Sequence, residues 1–233
     1  MSAAASAPLE SLRRLNPALR IVHARSAEFA EFGRVLEKCP TAGLVDWMSA
    51  NVPIGDGVSY QRSVTNLEDL ARPDGRTWRQ WASACFFGGA GAQAGWVAGR
   101  NTSLGAFEYH KSSELLVAAT PLLLFLGRLS ELENFERFDV AQVVGVVVDR
   151  GVALELYATS LHLSPLMVDR GGFRAAIILP AGTNAPLEGA DASLPGEEGL
   201  LRGERKWLLA CAGSRQEKLG ARVGMENLEL ILD

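Results

Sequence analysis

Beyond residue 93 the chain is written in short apolar blocks closed by glycine, proline, asparagine or aspartate, with little of the three- and four-residue spacing of a helix. The blocks fall at residues 94–98, 106–110, 114–119, 122–126, 142–149, 152–157, 162–167 and 173–179. Turn signals separate them at Gly99-Arg100-Asn101, Asp149-Arg150-Gly151 and Asp169-Arg170-Gly171-Gly172. Strands at this density, without crossover helices, predict an antiparallel sandwich or barrel. The earlier part reads differently. Residues 9–15, ahead of Asn16-Pro17, suit a short helix stopped by the proline, and 20–23 a strand. Ser26 and Thr41 read as N-caps for helices over 27–32 and 42–50, the second with Leu44, Val45, Trp47 and Met48 as its apolar face. Residues 66–70 suit another short helix. The Glu-rich 129–139 reads as a long connection and 185–203, rich in glycine, proline and acid, as an excursion. Residues 205–210, with Lys206 and Trp207, and 228–232 read as closing strands.

Composition narrows the class. With 233 residues, 48% hydrophobic and 21% charged, the chain suits one domain over 9–233 behind an Ala/Ser-rich lead at 1–8. Within it, 9–92 would be a helical and loop elaboration, 93–180 the strand core and 181–233 the loop and closing strands. The net charge of −4 and the lack of any long basic run argue against nucleic acid as a partner. The longest apolar run, 115–126, is interrupted by Pro121 and too short to span a bilayer, so no membrane role is expected. Cys39, Cys85 and Cys211 are odd in number and far apart, which suggests neither disulfides nor a thiolate metal site and fits a reducing cytoplasm. The first residues carry neither a basic segment nor an apolar core, so they do not read as a signal peptide. Phe86-Phe87-Gly88-Gly89-Ala90-Gly91 lacks the Gly-Lys-Ser/Thr of a phosphate loop and reads as a turn.

The chemistry concentrates around one of three histidines. If 105–114 is extended, Glu108, His110, Ser112 and Glu114 point to one side, and Tyr109, Lys111 and Ser113 to the other. Carboxylate oxygen and imidazole nitrogen together suit a divalent transition metal such as Mn, Fe, Ni or Zn. On its own the same alternation also describes a polar edge strand facing solvent. His23 has no acidic or histidine partner at regular spacing and reads as a surface or loop residue. No Ser-His-Asp or Cys-His arrangement can be argued.

A second stretch, residues 151–162, ends in His162. Together the two resemble the paired motifs of the cupin superfamily. Glu108-x-His110-x3-Glu114 resembles the first, with Glu in place of its leading His. Gly151-x5-Tyr157-x-Thr159-x2-His162 resembles the second, with Tyr157, Thr159 and Leu166 where Pro, Gly and Asn are usual. The phrases Glu108-Tyr109-His110-Lys111, Thr159-Ser160-Leu161-His162 and Leu179-Pro180-Ala181-Gly182-Thr183-Asn184 are similar to an uncharacterised bacterial cupin-like family spanning essentially the whole chain. The resemblance implies a mainly β fold, a cupin-like antiparallel β-barrel or jelly roll with a few N-terminal helices. It implies a metal held by Glu108, His110, Glu114 and His162, a small-molecule substrate and a homodimer. Glu155 is then a candidate base and Tyr157 a donor to a substrate oxygen, against the alternatives of a solvent-facing acid and a core tyrosine. Lys206 is a candidate anion-binding group or a snorkelling surface lysine. Fold-level analogy points to an isomerase or epimerase of a sugar or sugar acid. A lyase or hydrolase of a ureido or keto acid, and a non-catalytic carbohydrate-binding domain, are the alternatives.

Overall fold

The computed structural model describes residues 7–233. Its strands are β1 (Arg20–His23), β2 (Gly33–Val35), β3 (Ser59–Gln61), β4 (Ala92–Gly99), β5 (Ala106–Tyr109), β6 (Glu114–Ala118), β7 (Leu122–Arg128), β8 (Val144–Val148), β9 (Ala153–Leu156), β10 (Ser160–Leu161), β11 (Phe173–Pro180), β12 (Leu201–Gly203), β13 (Lys206–Cys211) and β14 (Val223–Met225). The helices are α1 (Ala7–Leu15), α2 (Ala42–Asn51) and three single turns, α3 (Thr65–Glu68), α4 (Trp78–Trp81) and α5 (Arg215–Lys218).

One sheet has six strands in the order β2-β9-β6-β11-β4-β3, antiparallel throughout. A second runs β1-β8-β7-β10, and a third joins β12, β13 and β14, with β5 paired to β13. Reciprocal backbone hydrogen bonds between Glu108 and His162, at 2.6 and 2.9 Å, connect β5 to the chain leaving β10. The second and third sheets thereby form one continuous layer, and the strands do not close into a barrel. Alternation sorts the side chains of both layers. Leu122, Leu124 and Leu126 of β7 and Val144, Val146 and Val148 of β8 face Leu116, Leu154, Leu156, Phe173, Ala175 and Ile177 of the six-stranded sheet, in one buried cluster. The outer face of the six-stranded sheet carries Leu115, Val117, Ala176 and Ile178 under α2 (Leu44, Val45, Met48) and Trp78 of α4. The outer face of the other layer carries Leu123, Phe125, Val147, Phe107 and Leu209, covered in part by Leu9 and Leu12 of α1. Strands buried on both faces are why 115–126 and 143–148 read as almost unbroken apolar runs.

The mainly β, antiparallel expectation holds, with several local differences. Residues 7 and 8 of the expected lead belong to α1, and the rest of that lead lies outside the described residues. The segment 27–32 is a 3-10 turn over Ala27–Glu31, and Ser26 makes no side-chain cap. Thr41 does not cap α2 either: its hydroxyl donates to the Gly151 carbonyl at 2.7 Å. Residues 228–232 form no strand. They are held by single contacts, Leu230 N donating to Thr102 O at 2.7 Å and Ile231 N to Asn16 Oδ1 at 2.8 Å. Among the described residues no helix is long and apolar enough to cross a membrane.

Candidate metal centre

The chain does not stay extended from 105 to 114. It bends at Lys111 and Ser112, leaving one layer and entering the other. Glu108 and His110 therefore belong to the β5 side and Glu114 to the first position of β6, and the bend, not a flat strand, is what brings them together. On β5, Phe107 and Tyr109 enter the core behind the layer, so Glu108 takes the opposite face. His162 lies opposite Glu108 as a hydrogen-bonded pair, which puts both side chains on one face. On β6, Leu116 and Ala118 face the space between the layers, and Glu114 shares their face.

The result is a buried cluster. Ligand atoms of Glu108, His110 and His162 all lie within 4.8 Å of one another. Glu114 Oε2 is 3.4 Å from His162 Nε2 and 3.8 Å from His110 Nε2, and His110 Nε2 is 4.0 Å from Glu108 Oε1. Each imidazole is oriented through its other nitrogen: His110 Nδ1 meets the Arg205 carbonyl at 2.9 Å and His162 Nδ1 the Ser160 carbonyl at 3.1 Å. A carbonyl only accepts, so both Nδ1 atoms carry a proton and both Nε2 atoms are turned into the cluster, where His162 Nε2 offers its lone pair once a cation displaces the second proton that Glu114 favours. Neither Nε2 has a hydrogen-bond partner, although both are buried. Arg205 offers its carbonyl from a left-handed conformation, φ 56°, in the turn between β12 and β13. Two orphaned nitrogens with their partners fixed, beside two carboxylates, fit a divalent cation.

The electrostatics agree with a site made for a positive charge. Burial would raise Glu108, but Lys206, His110 and His162 outweigh it and hold the carboxyl down at about 2. Lys206 reaches it from β13, diagonal to Glu108 on the same face, and its ammonium is ion-paired with Oε2. Burial pushes His110 down. Burial acts the same way on His162, but Glu114 and then Glu108 reverse it and lift the imidazole to about 9.

The cluster opens onto a cavity of about 900 Å³ between the layers, whose walls include Glu108, Glu114, His162, Lys206, Tyr60 and Asn184. Glu155 and Tyr157 do not line it. Glu155 is the register partner of Leu115 and shares its outward face, where Arg34 Nε and Ser113 Oγ donate to its carboxylate at 2.7 and 2.8 Å. Tyr157 follows β9, with its amide donating to Phe32 O at 2.9 Å. Alternation placed both on one face; Glu155 takes the side of the sheet away from the cavity, and Tyr157 lies beyond the end of β9. His23, expected on the surface or in a loop, instead closes β1, where it is mostly buried and meets Asp149 at 3.0 Å, apart from the cluster. Sequence reasoning missed Tyr60, whose strand is only three residues long, and Asn184, which stands in a phrase already noted but carries no motif of its own.

Similar solved structures include the Cupin 2 conserved barrel domain protein from Leptotrichia buccalis, at 12% identity and a TM-score of 0.32 over 57% of this chain and 45% of that one. Salicylate 1,2-dioxygenase from Pseudoaminobacter salicylatoxidans matches at 11% and 0.31, over 73% and 40%. A cupin-like protein from Thermotoga maritima matches at 10% and 0.25, over 54% and 70%. This chain spans less than half of the first two, and at these scores the fold rests on its own sheets. No curated protein matches the sequence. A family model does match, over residues 21–230, and the chain belongs to the family described as Domain of unknown function (DUF4867).

Proposed function

We propose that the protein is a metal-dependent enzyme acting on a small, polar, hydroxylated molecule in the cavity between its layers, an isomerase or epimerase of a sugar or sugar acid. The observation that carries the reading is the pair of buried imidazoles whose Nε2 atoms have no hydrogen-bond partner, in a cluster of which Glu108, Glu114 and His162 line the cavity. Glu108, His110, Glu114 and His162 would hold a divalent transition metal, Mn, Fe, Ni or Zn. Such an ion polarises a carbonyl and its neighbouring hydroxyl, which makes the adjacent C–H more acidic. Lys206 Nζ, ion-paired to Glu108, would donate to a substrate oxygen or anchor an acidic substrate, and a carboxylate of the cluster, Glu108 or Glu114, would take the C–H proton and return it at the neighbouring carbon. With its charge taken up by Arg34, Glu155 has no part in this reading.

Two measurements test it. Elemental analysis of mildly purified protein should find about one first-row metal per chain, lost in His110→Ala and His162→Ala and kept in His23→Ala. Incubation of metal-loaded protein with aldoses and uronic acids in D2O should then place solvent deuterium on a substrate carbon. Metal uptake without exchange on any substrate defeats the isomerase reading, and release of two fragments from a ureido or keto acid would replace it with a lyase. A wild type that takes up none of the four metals defeats the metal site.

A further inference from the structure

The second wall of the cavity carries a built arrangement that the reading above leaves without a task. Tyr60 is the middle residue of the edge strand β3 and the register partner of Val97, and both line the cavity. It stands on the six-stranded sheet, whereas Glu108 and His162 belong to the other layer. Asn184 Nδ2 donates to its hydroxyl oxygen at 2.9 Å. With that lone pair engaged, the phenol's own proton is left for an acceptor in the cavity, and no hydrogen bond from it to a described protein group competes.

Asn184 is held in place. Its φ of 65° is left-handed, a region that asparagine enters more readily than most residues other than glycine. The turn that enforces it is tied on several sides: Gly182 N donates to Gln93 Oε1 at 2.8 Å, buried Gln93 Nε2 to Thr183 O at 2.9 Å, and Asn184 N to Glu204 O at 3.0 Å.

We infer that Tyr60, oriented by Asn184, is a substrate-binding hydroxyl that donates a hydrogen bond to an oxygen of a ligand whose other oxygens face the Glu108-His110-His162 cluster. The inference rests on the metal reading and deepens it. A ligand that uses both walls carries oxygens at both ends, as a polyol, an aldose or a hydroxy acid does and a simple chelator does not. Tyr60 thus takes the task that sequence reasoning gave to Tyr157.

Two metal-chelating probes separate the possibilities, D-erythronohydroxamate, which carries hydroxyls beyond the chelating group, and acetohydroxamate, which does not. Calorimetry on manganese-loaded wild type should find tighter binding of the first. Tyr60→Phe and Asn184→Ala should each lose about tenfold of that preference, the scale of one hydrogen bond, while acetohydroxamate binding and manganese content stay unchanged. The double variant should lose little more than either single one, because both act on one hydroxyl. Tyr157→Phe should keep the full preference. A Tyr60→Phe protein that still prefers the hydroxylated probe, or a manganese-loaded wild type with no preference, overturns the inference. Failure of the wild type to take up manganese shows before any probe is added, and overturns the metal reading together with the inference built on it.

Discussion

Glu108 is pinned between an ammonium and two imidazoles, and each of these contacts has a sign that pH can read. Its carboxyl is held at about 2, below the ordinary value of 4.5, so the charged form stabilises the fold above that ordinary value and the contribution is lost as pH falls toward 2. His110, pushed down by burial, adds to the same acid limb. His162 runs the other way: raised to about 9, its protonated form contributes fully below the ordinary value of 6.5 and is lost as pH rises through 9. Because neutral His110 contributes fully only above 6.5 and protonated His162 only below it, the metal-free protein should show its highest urea midpoint near pH 6.5. Lys206→Met should flatten the acid limb and His162→Asn the alkaline one; profiles that move together with the wild type would contradict these assignments. Glu108, His110, Glu114 and His162 were legible as ligand candidates in the sequence because two stretches each combine alternation with motif spacing. Glu155 and Tyr157 misled because a period of two says which residues share a face and not which face meets the cavity.

At the scale of elements, close approach decides what the strands can tolerate. A Cβ on Gly95 of β4 would collide with the Gln61 carbonyl and the Arg62 backbone, where the chain leaving β3 crosses over. Gly95→Ala should cost about 1–3 kcal/mol in equilibrium denaturation and displace β3, carrying Tyr60 with it. Gly43 in α2 has nothing within 4 Å of its would-be Cβ, and Gly43→Ala should be neutral or raise stability by up to about 1 kcal/mol. Equal effects at the two positions would count against the crossing. The long apolar strands were readable within a residue or two because burial on both faces leaves only their ends polar. The elements that escaped, β2, β3, β10, β12, β14, α4 and α5, are two to four residues long, and tertiary pairing and packing create them where local pattern has no room to show.

For the whole molecule, ligand placement matters more than ligand identity. Chelation should lower the melting temperature of the wild type by several degrees and leave His110→Ala and His162→Ala nearly unmoved, since an ion that binds only the folded form stabilises it by mass action. The layered β architecture was foreseeable from strand density, while the failure of the strands to close was not, because closure depends on tilt and stagger that no single stretch encodes. Glu114 enters the cluster from the six-stranded sheet, Glu108 and His162 from the opposite layer, and the two layers otherwise meet there across an open cavity. An ion held by all of them would rivet one layer to the other at the very place where the apolar core is interrupted. Hydrogen exchange should then slow on metal addition in β5, β6 and residues 160–162, and stay as it was in α1 and α2, so that the breathing of the cavity mouth is governed by occupancy of its floor.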